Sequence, residues 1–229
     1  MKIVTSFSPH RISRQQACLA SWRSLGLEVI GVQTEGEVAQ LREHFRDVSF
    51  VEVPRFAGQC PWNKPHLPRM SEILKQAEDD TILILNSDIT VECSPEKFLA
   101  EWSEENPDVL VVGIRRDHRR GRPQATLNPY GIDAFRLTAH LVADLETDLE
   151  WAIGVPGWDY WIPWKLWQAG KRIRVANCHL MHEIHDLGYP REAIRTAYQI
   201  LEREYRMPHT VFVHFIQWAT GRAGMKRRP

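Results

Sequence analysis

Three short stretches hold side chains whose types and spacing can do chemistry. The first is Asn86-Ser87-Asp88, directly behind the apolar run TILIL at 81–85. An apolar run of that length predicts a central strand buried on both faces. In open α/β sheets ligands bind beyond the carboxyl ends of such strands. Asp88 offers hard oxygen ligands to a divalent cation, Mn²⁺ or Mg²⁺; the plainer reading is a turn carboxylate capping its own backbone. The second stretch is Gly157-Trp158-Asp159, amid Trp151, Trp161, Trp164 and Trp167. A carboxylate beside bulky rings becomes less acidic, which suits a general base; the alternative is a helix cap. The third is HLMHEIHD at 179–186, where His179, His182 and His185 recur every third residue with Glu183 and Asp186 among them. That density invites a metal reading for one of them; the plainer reading is structural histidines. It is not the zinc-protease pattern, whose two histidines stand four apart on one helical face.

The elements that must position these groups follow from periodicity. Strands are expected at 2–7, 27–33 and 48–53, with helices at 11–25, closed by Gly26, and at 36–46. This β-α-β-α-β opening predicts a parallel sheet covered by helices. A long loop over 54–70 and a helix at about 68–78 lead to the buried strand. Ser94 caps a further helix with Pro95 at its first position. Strands are expected at 108–114, 131–137 and 172–176. Helices are expected from Thr138 to about 145, from after Gly157 to Ala169-Gly170 with its regular part starting near Ile162 because of Pro163, and at about 190–205. Residues 115–122 hold five arginines and read, with 121–130, as exposed loop. That loop is either simply solvated or a surface for an anionic acceptor: phosphorylated glycan, lipid phosphate or nucleic acid. The tail from Val211 to Trp218, with basic residues after it, reads either as docked on the domain or as touching a membrane surface.

The chain's 229 residues fit one large α/β domain with a real core. Lys plus Arg and Asp plus Glu each number 29, so net charge implies no general affinity for nucleic acid or membranes. The scatter of Cys18, Cys60, Cys93 and Cys178 fits free thiols in a reducing compartment better than a disulfide framework. No apolar stretch approaches the ~20 residues of a membrane span, and the N-terminus lacks the apolar core of a signal peptide. Cytoplasmic residence is the default expectation.

In order and spacing these features resemble the GT-A class of nucleotide-sugar glycosyltransferases, with a family 2-like layout over roughly 1–186. The resemblance implies an α/β fold with a mostly parallel central sheet flanked by helices. The single domain would divide into a nucleotide-sugar-binding half (about 1–115), an acceptor and catalytic half (about 116–189) and a C-terminal helical segment with its basic tail (about 190–229). Thr5, Ser6 and Phe7 stand where the class contacts base and ribose, and Lys64 would help hold the diphosphate. Asn86 and Asp88 occupy the place of the Asp-x-Asp metal motif. Asp159 stands eleven residues before Gly170 of the turn Ala169-Gly170-Lys171-Arg172-Ile173, the spacing of the catalytic base. His182 is the nearest match to the metal-binding histidine beyond that turn, with His179 and His185 as rivals. Asp133, in the segment 131–135, falls on the acceptor side, and Trp158 and Trp161 would shape a floor for a sugar ring. The implied activity is metal-dependent transfer of a sugar, from a UDP-sugar first of all, to a hydroxyl acceptor with inversion. Two positions depart from the pattern: Asn86 replaces the first acid, and Trp158 stands where a Glu would precede the base. Asn86 keeps open a sugar- or nucleotide-binding module without catalysis. A nucleotidyltransferase would need a Gly-rich phosphate loop near the N-terminus, which the sequence lacks.

Overall fold

The computed structural model describes residues 1–55, 64, 66–78, 80–120, 124–145, 151–185 and 191–208. The chain opens as β1 (Lys2–Thr5), α1 (Ile12–Arg23), β2 (Val29–Thr34), α2 (Val38–His44) and β3 (Ser49–Val53). It continues through α3 (Met70–Leu74), β4 (Ile82–Leu85), β5 (Ile89–Val91), α4 (Pro95–Trp102), β6 (Val109–His118) and β7 (Thr126–Leu137). It closes with α5 (Ala139–Val142), α6 (Trp158–Gln168), β8 (Arg172–Val175), β9 (Leu180–Glu183) and α7 (Arg191–Arg203). The strands form one sheet in the order β3-β2-β1-β4-β7-β6-β9-β5, with β8 also on β6. Five of the eight pairings are parallel and three antiparallel, so the sheet is mostly parallel as the sequence implied.

Both faces are covered, which is why β4 reads as an unbroken apolar run. Ile82 and Ile84 join an apolar cluster that includes α3, α6 and α7. Leu83 and Leu85 join the other, with Leu19 and Trp22 of α1 and Phe98 and Trp102 of α4. The period-2 alternation of a strand sends successive side chains to opposite layers. Ser94 caps α4 by accepting from the Lys97 N–H, and Thr138 caps α5.

The expected elements differ from the observed ones where pairing, not propensity, decides. Residues 115–118 are not loop. They continue β6, because β7 and β9 pair with them on either side. β7 begins at Thr126, inside the segment read as exposed loop, for the same reason. The short β5 and β9 were not expected; each is stabilised by the other. Pro163 does not delay α6, which starts at Trp158 behind Gly157. The Gly157 carbonyl accepts from Tyr160 and Trp161 at 3.1 and 3.0 Å, closing the first turn upstream of the proline. Gly157 has φ +95°, and α7 packs on it through Ala197 and Leu201, so a side chain there meets both strain and a neighbour. The helix expected at 68–78 is shorter, Met70–Leu74 followed by a 3₁₀ turn, and α5 ends at Val142. Among the described residues no helix is long and apolar enough to cross a membrane. Cys60, the tail from Val211 and residues 121–123 lie outside the described residues.

Candidate active site and metal centre

After β4 the chain turns, with the Ile89 N–H donating to the Asn86 carbonyl at 3.1 Å, and enters β5. β9 pairs antiparallel with β5 so that Ile89 faces His182. It also lies parallel on β6 with Asp117 opposite His182. These two pairings deliver His182 to Asp88 from nearly a hundred residues away. Nε2 of His182 lies 3.4 Å from Asp88 Oδ2, and Nε2 of His185 lies 3.0 Å from the same oxygen. Ligand atoms of Asp88, His182 and His185 all fall within 4.8 Å of one another. His179 is exposed at the far end of β9, away from this group. Asp186 lies outside the described residues.

Burial pushes the Asp88 carboxyl up, but hydrogen bonds from His182 and His185 outweigh it and hold Asp88 well below the usual carboxylate range. Burial pushes His182 down, and the Asp88 and Asp117 carboxylates outweigh that and raise it. Asp117 Oδ1 lies 2.8 Å from His182 Nδ1. With Nδ1–H donated there, Nε2 points at Asp88, the arrangement that orients a metal-bound histidine. One carboxylate and two imidazoles fit a divalent transition ion. They suit Mn²⁺ better than Mg²⁺, which takes oxygen almost exclusively.

Sequence reasoning missed Arg115 by placing it in an exposed loop, either solvated or facing an anionic acceptor. The guanidinium lies inside the site: Nη1 is 3.2 Å from Asp133 Oδ2 and Nε is 2.9 Å from Asp117 Oδ1. Arg115 and Asp117 are two apart on β6 and therefore share a face. That spacing was the signal available, but only if residues 115–118 are known to be strand. Gly131 leaves the room, since a Cβ there would fall 2.6 Å from Arg115 Cγ. Asp133 is 3% exposed. Burial raises its carboxyl, opposed by Arg115 and Asn86. Asn86 donates through Nδ2 to Asp133 Oδ1, and its backbone N–H donates to the Asp133 carbonyl at 3.2 Å. The amide in place of the first acid thus donates to a buried carboxylate, where an acid would repel it. Arg115→Met should leave Asp133 short of a cation in the interior. The expected cost is roughly 2–4 kcal/mol, below the 3–5 of a fully buried pair because Arg115 is partly exposed. Urea unfolding reads this directly, and a variant within about 0.5 kcal/mol of the parent, the range of ordinary surface changes, would show that the ion pair is not needed.

Asp159 is the second residue of α6 and is partly buried. Burial and the neighbouring Asp133 push its carboxyl up to about 7, while Arg115 and the backbone N–H groups of Asp159 and Gly157 pull it down. Asp133 and Asp117 meet the guanidinium directly, and the charge of Asp88 and Asp159 also acts on it. Trp158 and Trp161 are not at a pocket wall. They are 2% and 0% exposed, with Trp158 edge-on to Phe135 and Trp161 packed on Trp151 and Tyr205. Their faces are covered by the core, because large rings lower the free energy most when fully removed from water.

On the donor side, Thr5 ends β1 fully buried with no hydrogen-bond partner for its hydroxyl. Ser6 donates to Gln33 Oε1 at 2.8 Å. The Phe7 side chain is a core residue stacked on Phe45 at 4.3 Å, and Gln33 bonds both its N–H and its carbonyl. Only the backbone of Phe7 remains at the strand end, so its ring is no platform for a base. Lys64 lies near His66, whose carbonyl accepts from Thr34 at the end of β2. A cavity of about 300 Å³ opens on Asp88, walled by Arg14, Thr90, His118, Arg120 and Glu183. That volume is at the lower end of ligand pockets.

No family model matches this chain, and no curated protein matches it by sequence. Solved structures do share its shape. S. aureus TarS in complex with UDP-GlcNAc is 17% identical, with 97% of this chain and 72% of that one covered at a TM-score of 0.50. GalNAc-T7 with UDP, GalNAc and Mn²⁺ is 12% identical, with 90% of this chain and 49% of that one covered at 0.56. The chain therefore has the fold of the GT-A nucleotide-sugar glycosyltransferases.

Proposed function

We propose that this chain is a metal-dependent glycosyltransferase that moves a sugar from a UDP-sugar to a hydroxyl acceptor with inversion. The observation that carries the reading is the Asp88–His182–His185 group, with Asp159 linked to it through the charges of Arg115 and Asp133 and holding a proton up to near neutral pH. Solved neighbours of the same fold hold UDP-GlcNAc in one case and UDP, GalNAc and Mn²⁺ in the other, which supports both donor class and metal.

A divalent ion held by Asp88, His182 and His185 would neutralise charge building on the leaving diphosphate. Arg14 and Arg120 of the adjoining cavity add fixed positive charge on the same side of Asp88. Asp159 takes the proton of the acceptor hydroxyl as that oxygen bonds the anomeric carbon and the bond to the diphosphate breaks. Asp133 and Arg115 hold the charges of the site in register, and Asp117 holds His182. With Arg115 committed to Asp133 and Asp117, an anionic acceptor would meet only Arg116, Arg119 and Arg120 of the described arginine-rich stretch.

Release of UDP from UDP-GlcNAc, with and without EDTA, tests the reading. Turnover is expected to vanish with EDTA and return with Mn²⁺ more fully than with Mg²⁺. Turnover insensitive to EDTA would remove the metal. Tight UDP-sugar binding without any turnover would make the protein a binding module.

A further inference from the structure

Cys93 and Cys178 stand 85 positions apart in the chain, yet each lies two residues beyond the same end of the β5–β9 ladder. The register runs Ile89 to His182, Thr90 to Met181 and Val91 to Leu180. It extends one rung further, where the Glu92 N–H donates to the His179 carbonyl at 2.9 Å. The next opposed residues are Cys93 and Cys178. Hydrogen-bonded and non-hydrogen-bonded pairs alternate along antiparallel strands. Glu92 donates to His179 as in a hydrogen-bonded pair, so the register continued by one residue makes the two cysteines a non-hydrogen-bonded pair. There Cα atoms approach to about 4.5 Å, inside the span of roughly 4.4–6.8 Å that a disulfide bridges. The Cys93 thiol is near enough to Cys178 to raise it. Cys93 is partly exposed and Cys178 buried.

We propose that Cys93 and Cys178 are a redox modification site, and that their disulfide braces the ladder that carries His182 and adjoins Asp88. The consequence for metal binding rests on the metal reading above; the bond itself does not. With a small disulfide such as oxidised glutathione as the oxidant, the accessible Cys93 thiolate attacks one of its sulfurs and expels one glutathione thiol. The Cys178 thiolate then attacks the Cys93 sulfur, breaks the mixed disulfide and expels the second. Two protein thiols are oxidised, one small disulfide is reduced, and two protons pass to the released thiolates. The order follows from the environment: burial, then the Cys93 thiol, push Cys178 up to about 12, so it resolves rather than initiates. His182 is four residues from the bond along β9, about 13 Å at strand rise, close enough for the brace to fix its position against Asp88.

The test is incubation of the reduced, metal-free full chain with oxidised glutathione, followed by non-reducing peptide mapping. A peptide pair joined through Cys93 and Cys178 is expected, with Tm raised by about 5–15 °C for a loop of roughly 85 residues. Neither should occur in Cys93→Ser or Cys178→Ser, and dithiothreitol should reverse both. A stable glutathione adduct at Cys93 without ring closure, or a bond to Cys18 or Cys60 instead, would overturn the proposal. Mn²⁺ titration of oxidised and reduced protein should give tighter binding when oxidised; equal affinity overturns the brace. A protein that binds no Mn²⁺ in either state but still forms the bond overturns the metal reading instead.

Discussion

Asp159→Asn is expected to lower sugar transfer by about 10²–10⁴-fold, the usual cost of losing a positioned base, while UDP-sugar affinity stays within experimental error. The amide keeps the shape and position at the start of α6 but cannot take a proton. In the parent, kcat/KM should rise with pH up to about 7 and level off above it, as the carboxyl ionises. The variant should lack that limb. Stability should move in the opposite sense. The fold favours the protonated form of Asp159, so its contribution is fully present below the ordinary carboxylate pKa of about 4 and is lost as pH rises through about 7. Asp159→Asn should therefore match the parent at pH 4 and exceed it at pH 8, by on the order of 2–4 kcal/mol for a shift of this size. The two readouts separate roles. A mere helix cap would keep its capping bond as Asn, leaving both the stability difference between pH 4 and pH 8 and the rate profile unchanged. Parent-like turnover in the variant would move the base to another carboxylate, Glu183 or Asp133 being the next to examine.

Asp88→Ala should abolish Mn²⁺-dependent turnover, by at least about 10²–10³-fold, the scale seen when one group stabilising developing charge is removed. Asp88 Oδ2 is the one atom that meets both His182 and His185. Without it the two imidazoles lose their shared anion and a bound ion loses its only carboxylate from the group. Asp88→Asn is the control for folding, since it keeps the volume and can still hydrogen-bond the histidines. Calorimetric Mn²⁺ titration should show binding lost in the Ala variant and weakened in the Asn variant. Parent affinity in both would show that the ion, if one binds, sits elsewhere. His182→Ala and His185→Ala then rank the two imidazoles, which the sequence alone left as rivals with His179.

Much of this site could be read locally because its supports are local. The run at 81–85 has to be a strand buried on both faces, and a polar triplet directly after it has to sit at the sheet's carboxyl edge. Asp159 at the start of a tryptophan-rich helix carries its own signal, because the apolar rings that argue for a buried setting are its sequence neighbours. The alternation of strands and helices in the first fifty residues likewise determined a parallel sheet covered on both faces. What the sequence did not carry was which residues would meet across strands. Arg115 read as one charge among five in an exposed loop. β7 beside β6 and the missing side chain at Gly131 turn it into the cation shared by Asp133 and Asp117. Asn86 read as a weakened ligand, yet it is the donor that Asp133 needs. Trp158 and Trp161 were composed like a binding platform and were claimed by the core instead. Cys93 and Cys178 looked scattered until β5 and β9 paired. The physical reason is the same in each case. Hydrophobic periodicity is a property of a few adjacent residues, and it determines what an element is. Register between strands far apart in the chain depends on the packing of the whole sheet, and a shift of one residue turns every side chain to the other face. The proposed metal-side carboxylate and the proposed base therefore rest on local signals in the chain, and their partners were decided only when the strands closed.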